Sequence, residues 1–121
     1  MNSYQETLKV KMDSFVHFIY RITKEFPREE LYSSVSQIRR AALSVILNYI
    51  EGYARNGTRS RVAFLDISYG SLMEADYLLS FAKDERYITD EFYSEAKKLS
   101  HEVGAMLYTE IRNLKNSINQ V

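Results

Sequence analysis

Apolar residues recur at steps of four and three in separate stretches along this chain, a spacing that commits it to packed amphipathic helices. The clearest run is the last: Phe92, Ala96, Leu99, Val103 and Met106, continued through Leu107, Ile111, Leu114 and Ile118. The first run steps through Leu8, Met12, Phe15, Ile19, Ile22 and Phe26. Pro27 disfavours the α conformation in the residue before it, so the first helix is expected to run from an N-cap at Ser3 to Glu25 or Phe26. Pro27 to Glu30 reads as a helical turn. A second helix is expected from about Ser34 to Arg55, burying Val35, Ile38, Ala42, Val45, Tyr49 and Tyr53. Leu43, Ile46, Leu47 and Ile50 lie beside that stripe and leave the C-terminal half apolar on most of its circumference. Ile46, Leu47 and Ile50 point about 100° apart, so at least one of them is expected outside the core of a single chain.

Asn56-Gly57-Thr58 is the strongest turn signal. A third helix follows from Arg59 or Ser60 to Arg86, with Phe64, Leu65, Leu72, Ala75, Leu79 and Ala82 on one face. Thr89, followed by Asp90 and Glu91, has the character of an N-cap with first-turn acids for the fourth helix. The fold expected is all-α: an antiparallel up-and-down four-helix bundle in one domain over residues 1–121.

Composition removes several function classes. With no cysteine there is no disulfide frame, zinc finger, thiol nucleophile or iron–sulfur site. Sixteen Lys and Arg balance sixteen Asp and Glu, which excludes a bulk polycation. The first residues are polar where a signal peptide is apolar, and no apolar run is long enough to span a bilayer, so the expected location is cytoplasmic with no membrane partner. A di-iron bundle needs Glu-x-x-His pairs, but Ser14 and Lys98 stand three residues before His17 and His101. Asp13 and His17 supply only two ligands, and the four glycines are scattered singly, so no metal, cofactor or enzymatic activity is expected.

The neutral total hides an uneven distribution. Residues 32–61 carry Arg39, Arg40, Arg55, Arg59 and Arg61 against Glu51 alone, a local charge of +4 made entirely of arginine. Arginine suits bidentate contacts to phosphate. Arg59 and Arg61 also open a helix, where the macrodipole disfavours cations unless an anion is near. These residues form either a solvated loop or an anion-binding surface, with Tyr53 available to stack on a base or to pack. Tyr49, Tyr53, Tyr69 and Tyr77 can each place a ring inward and a hydroxyl at the surface. A polar stripe of Gln37, Ser44, Asn48, Glu51 and Arg55, with Ala41 in register, runs down one side of the second helix. Ser68, Ser71 and Glu74 on the third helix are its expected partners, with Arg39 or Arg40 paired to Glu74. The stripe serves either register and subunit packing or ligand contact, and Gly52 permits close backbone approach.

The segment Ser36-Gln37-Ile38-Arg39-Arg40-Ala41-Ala42-Leu43-Ser44-Val45, with Asn48 and Glu51-Gly52-Tyr53, is distinctive. Together with Phe26-Pro27, Phe64-Leu65, Gly70-Ser71-Leu72 and Glu74, it resembles the four-helix bundle family named after 23S rRNA intervening sequences. The resemblance is collinear from the first helix to the fourth. It implies a small, non-enzymatic bacterial bundle. A more distant similarity, to the accessory protein of diversity-generating retroelements, implies a homopentamer that binds nucleic acid. This chain departs from the usual pattern at Ile46, where the family has proline, and at Leu47 and Ile50, where it has small residues. The partners expected are further copies of the chain and RNA through Arg55, Arg59, Arg61 and Tyr53. The alternative is a protein-interaction scaffold with no nucleic-acid binding.

Overall fold

A capping box begins the first helix: Asn2 Oδ1 accepts from the Gln5 backbone N–H, and Gln5 Oε1 accepts from the Asn2 N–H, both at 2.9 Å. The N-cap is therefore Asn2, one residue before the expected Ser3. The computed structural model describes residues 1–119. Helix α1 spans Ser3–Thr23. It stops short of the expected Glu25 or Phe26 because the chain tightens, with Glu25 and Phe26 donating to carbonyls three residues back. Pro27 leads into a short 3₁₀ turn at Arg28–Glu30 and then one π-helical turn at Leu31–Val35.

Helix α2 spans Ser36–Tyr53, α3 Thr58–Asp84 and α4 Asp90–Asn119. The α3 terminus is set by Arg86, a non-glycine residue at φ 63°. Around it Tyr87 N–H reaches Ala82 O at 2.8 Å and Arg86 N–H reaches Lys83 O at 3.0 Å, the two bonds of a Schellman motif. That geometry ends α3 two residues before the expected Arg86. Thr89 caps α4 as expected, its Oγ1 accepting from Phe92 N–H at 3.1 Å.

Each helix packs on two neighbours, α1 on α2, α2 on α3, α3 on α4 and α4 on α1, which closes an up-and-down bundle. Most of the set predicted by the spacing is core: Leu8, Phe15 and Ile19 of α1, Ile38 and Val45 of α2, Leu65, Leu72 and Leu79 of α3, and Val103 and Leu107 of α4 are fully buried, while Tyr53 and Phe64 are only half-buried. α2 and α3 form the most extensive contact. Gly52 allows it, since a Cβ there would lie 2.5 Å from Leu65 Cδ1 and 3.2 Å from Arg61 O. Leu47 and Ile50 face outward at 53% and 43% exposure, while Ile46 turns in. No described helix is long and apolar enough to cross a membrane.

Candidate functional site

The polar stripe of α2 meets α3 through its middle. Ser44 Oγ and Ser71 Oγ lie 2.8 Å apart, and Asn48 Nδ2 donates to both the carbonyl and the hydroxyl of Ser44. Ser68, fully buried, donates to Val45 O at 2.6 Å. These bonds fix the relative register of the two helices. The ends of the stripe behave differently. Gln37 is exposed, and Glu51 and Arg55 pair with each other at 2.5 Å on the surface.

The expected ion pair from Arg39 or Arg40 to Glu74 does not form. Glu74 is exposed, and Arg40 reaches only Ser36 Oγ in its own helix. Arg39 turns instead to α1. Its Nε donates to Thr23 Oγ1 at 2.8 Å, its Nη2 to Tyr20 O at 3.2 Å, and its guanidinium lies 4.7 Å from the Tyr20 ring centre. Arg61 does the same one helix later. Its Nε donates to Gly52 O at 3.2 Å and its Nη2 to Arg55 O at 3.0 Å, over the Tyr53 ring at 4.5 Å. Each arginine is the fourth residue of its helix and carries its charge back to the C-terminal end of the helix before. The conflict with the macrodipole at the start of α3 is thus resolved within the chain for Arg61, whose charge sits at the negative end of α2.

Arg55 stacks over Phe64 at 4.6 Å while pairing with Glu51. Arg59 is exposed and has no ion-pair partner among the described residues; it borders a surface crevice with Val62, Lys115 and Ile118. Tyr53 is half-buried, packs against Tyr49 with ring centres 5.2 Å apart, and donates its hydroxyl to Glu110 Oε2. Tyr53 is therefore engaged by Arg61, Tyr49 and Glu110 together.

Glu110 is the residue that the sequence reading missed. It is 7% exposed and accepts from Tyr49 on one oxygen, at 2.6 Å, and from Tyr53 on the other. Gln5 Nε2 donates to the Tyr53 hydroxyl at 3.1 Å, which draws α1 into the network. Tyr49 is fully buried and its hydroxyl points to this carboxylate, which corrects the expectation of a hydroxyl at the surface. Burial pushes the Glu110 carboxyl above its ordinary range, partly opposed by the Tyr49 and Gln5 hydrogen bonds. Burial, and then the hydrogen bond to Glu110, raise the Tyr49 hydroxyl far above the usual tyrosine range. One signal was available: Glu110 stands seven residues after Val103 and fourteen after Ala96, at an inward heptad position.

A half-buried acid organises the α3–α4 contact. Asp76 accepts from Lys97 Nζ at 2.7 Å and from Ser100 Oγ at 2.9 Å, with His101 Nε2 4.0 Å away. Ser100 and His101 both address the carboxylate and not each other, so the group is a helix-to-helix tie and not a nucleophile with its base.

The family described as 23S rRNA-intervening sequence protein matches residues 6–109. A crystal structure from Bacteroides thetaiotaomicron VPI-5482, described as a protein with unknown function from the S23 ribosomal protein family, is similar in fold. It has a TM-score of 0.83 and 24% identity over 90% of this chain and 98% of that one. No curated protein matches the chain.

Proposed function

The chain belongs to the 23S rRNA-intervening sequence protein family, and from that premise we propose that it is a non-enzymatic, self-associating bundle that contacts RNA in the cytoplasm. The observation that carries the RNA reading is Arg59: an exposed guanidinium without an ion-pair partner among the described residues, at the uncapped N-terminus of α3. Arg55 stacks on Phe64 of the same helix as Arg59, while Arg61 and Tyr53 frame the α2–α3 corner. Self-association is supported by the outward row of Leu43, Leu47 and Ile50 on α2, and a closed ring, a homopentamer, is the form proposed. The ring would set one Arg59 per subunit at the same height, which turns a weak patch into a belt.

The scaffold reading is favoured by Tyr32, 92% exposed beside Leu31 and Leu43 over a shallow depression. A salt series on a fluorescent RNA hairpin separates the two, because phosphate neutralisation makes affinity fall steeply with salt. RNA contact gives measurable binding at about 50 mM salt, and Arg55→Ala with Arg59→Ala flattens the slope. Absence of binding at that salt removes the RNA reading and leaves the scaffold.

A further inference from the structure

Beside the buried carboxylate of Glu110 lies a cleft of about 290 Å³ lined by Asn2, Tyr4, Gln5, Tyr53, Asn113 and Leu114. We propose that this cleft is a binding site for a small organic cation, a guanidinium or primary ammonium group, held by the Glu110 carboxylate. The inference does not depend on RNA contact, which is placed at Arg59 and Arg55.

Three features specify the chemistry. First, Glu110 is satisfied in hydrogen bonds but not in charge. Its polar partners are neutral, the hydroxyls of Tyr49 and Tyr53 with the Gln5 amide beside them, and among the described residues no Lys, Arg or His forms an ion pair with it. Each carboxylate oxygen accepts more than one hydrogen bond, so capacity remains for a further donor. Second, several of the nearby donors are already spent inward. Tyr4 OH donates to Met106 O, Thr109 Oγ1 to Ala105 O, and Gln5 Nε2 to Tyr53 OH. What remains around the carboxylate is Tyr4 and Tyr53 with the amides of Asn2 and Asn113, a lining that offers oxygen acceptors and aromatic rings to a group made of N–H donors and positive charge. Third, the size is right for a headgroup. The volume equals roughly ten waters at about 30 Å³ each, more than a guanidinium fills. A hard divalent metal is a poorer fit, since it needs several oxygen ligands and no three His, Cys, Asp or Glu side chains cluster among the described residues. A neutral polyol would leave the buried charge uncompensated.

The charged and titratable groups around the site are Tyr4 and Glu6 of α1, Tyr49 and Tyr53 of α2, and Arg61 of α3, whose guanidinium is tied to the Gly52 and Arg55 carbonyls. Glu110 is thus the carboxylate that a bound cation would meet at the cleft wall.

The test titrates methylguanidinium chloride, and separately acetyl-Gly-Arg-Gly-amide, into protein carrying ¹³C-labelled glutamate, with NaCl holding ionic strength constant. Saturable movement of the Glu110 carboxyl resonance is expected, with a dissociation constant of order 1 mM. Because the ionised carboxylate is the binding form, saturating probe should lower the Glu110 midpoint by about one pH unit, equivalent to tenfold preference for that form. Glu110→Gln should weaken both probes about tenfold, and Tyr53→Phe less than that. The tighter of the two probes identifies the source of the group, a free small molecule or an arginine side chain of a polypeptide. An unmoved Glu110 midpoint, or equal affinity in a folded Glu110→Gln variant, overturns the proposal. Should that variant not fold, the midpoint in the wild-type chain decides alone.

Discussion

Arg59 and Arg61 are two residues apart, yet only one of them is tied into the fold. Arg61 donates to two carbonyls at the C-terminal end of α2 and covers the Tyr53 ring. Among the described residues Arg59 has neither kind of contact. Arg61→Ala should therefore cost about 1–2 kcal/mol in urea unfolding, through lost hydrogen bonds to carbonyls at the end of α2 and a lost cation–π contact. Arg59→Ala should stay within about 0.5 kcal/mol. Equal losses in the two variants would contradict the capping role. Arg86 gives the opposite sign. A non-glycine residue at φ 63° carries a Cβ penalty that glycine lacks. Arg86→Gly should raise stability by about 0.5–1 kcal/mol in the same assay, since Arg86 makes no ion pair among the described residues. A loss there would mean that the greater freedom of the unfolded glycine outweighs relief of the left-handed strain.

At the scale of the element, the helices and their inward faces were legible because burial imposes a period that the apolar residues display directly. Leu8 through Ile22, Leu65 through Ala82 and Val103 through Leu107 all lie where the spacing places them. The helix ends were less legible, because each is decided by a local partner. Asn2 displaces Ser3 through Gln5, Arg86 closes α3 early, and the carbonyls of α1 and α2 are capped by arginines from the following helix. The site was least legible. A glutamate on an amphipathic helix reads as solvated unless its heptad position is weighed against its charge, and the two tyrosines that satisfy Glu110 are 57 and 61 residues away. That network has a pH signature. The folded-state proton affinity of Glu110 is raised above the ordinary 4.5, so between 4.5 and the raised value the folded chain holds a proton that the unfolded chain has released. Its stabilising contribution is complete below the unfolded value and declines as pH rises through the folded one. Compared with Glu110→Gln, the wild-type chain should lose ground as pH rises from the ordinary carboxylate value of 4.5 through the raised folded one. A difference between the two that is flat over that range would place the Glu110 titration at its unfolded value.

At the scale of the whole molecule, the question is what covers α2. Its inner face is shared with α1 and α3, and the remaining arc presents Leu43, Leu47 and Ile50 at 38%, 53% and 43% exposure. Leu31 and Tyr32 carry the apolar surface on from its N-terminal end. A row of this kind at four- and three-residue steps has the spacing of a helix-packing seam, and water is a poor partner for it. Light scattering at micromolar concentration should give a multiple of the 14.2 kDa chain mass, about fivefold for the ring proposed. Leu47→Glu should return the mass to one chain while leaving the thermal midpoint of the bundle nearly unchanged, since Leu47 is not part of the core. The same variant bears on RNA. If the subunits present their Arg59 side chains on one rim, the belt exists only in the assembly, and a single chain offers an isolated patch. RNA affinity should then fall by more than tenfold in Leu47→Glu although no arginine has changed, because simultaneous engagement is lost. A wild-type mass of one chain would remove self-association. Undiminished RNA binding by a dissociated Leu47→Glu chain would place the contact within the single bundle.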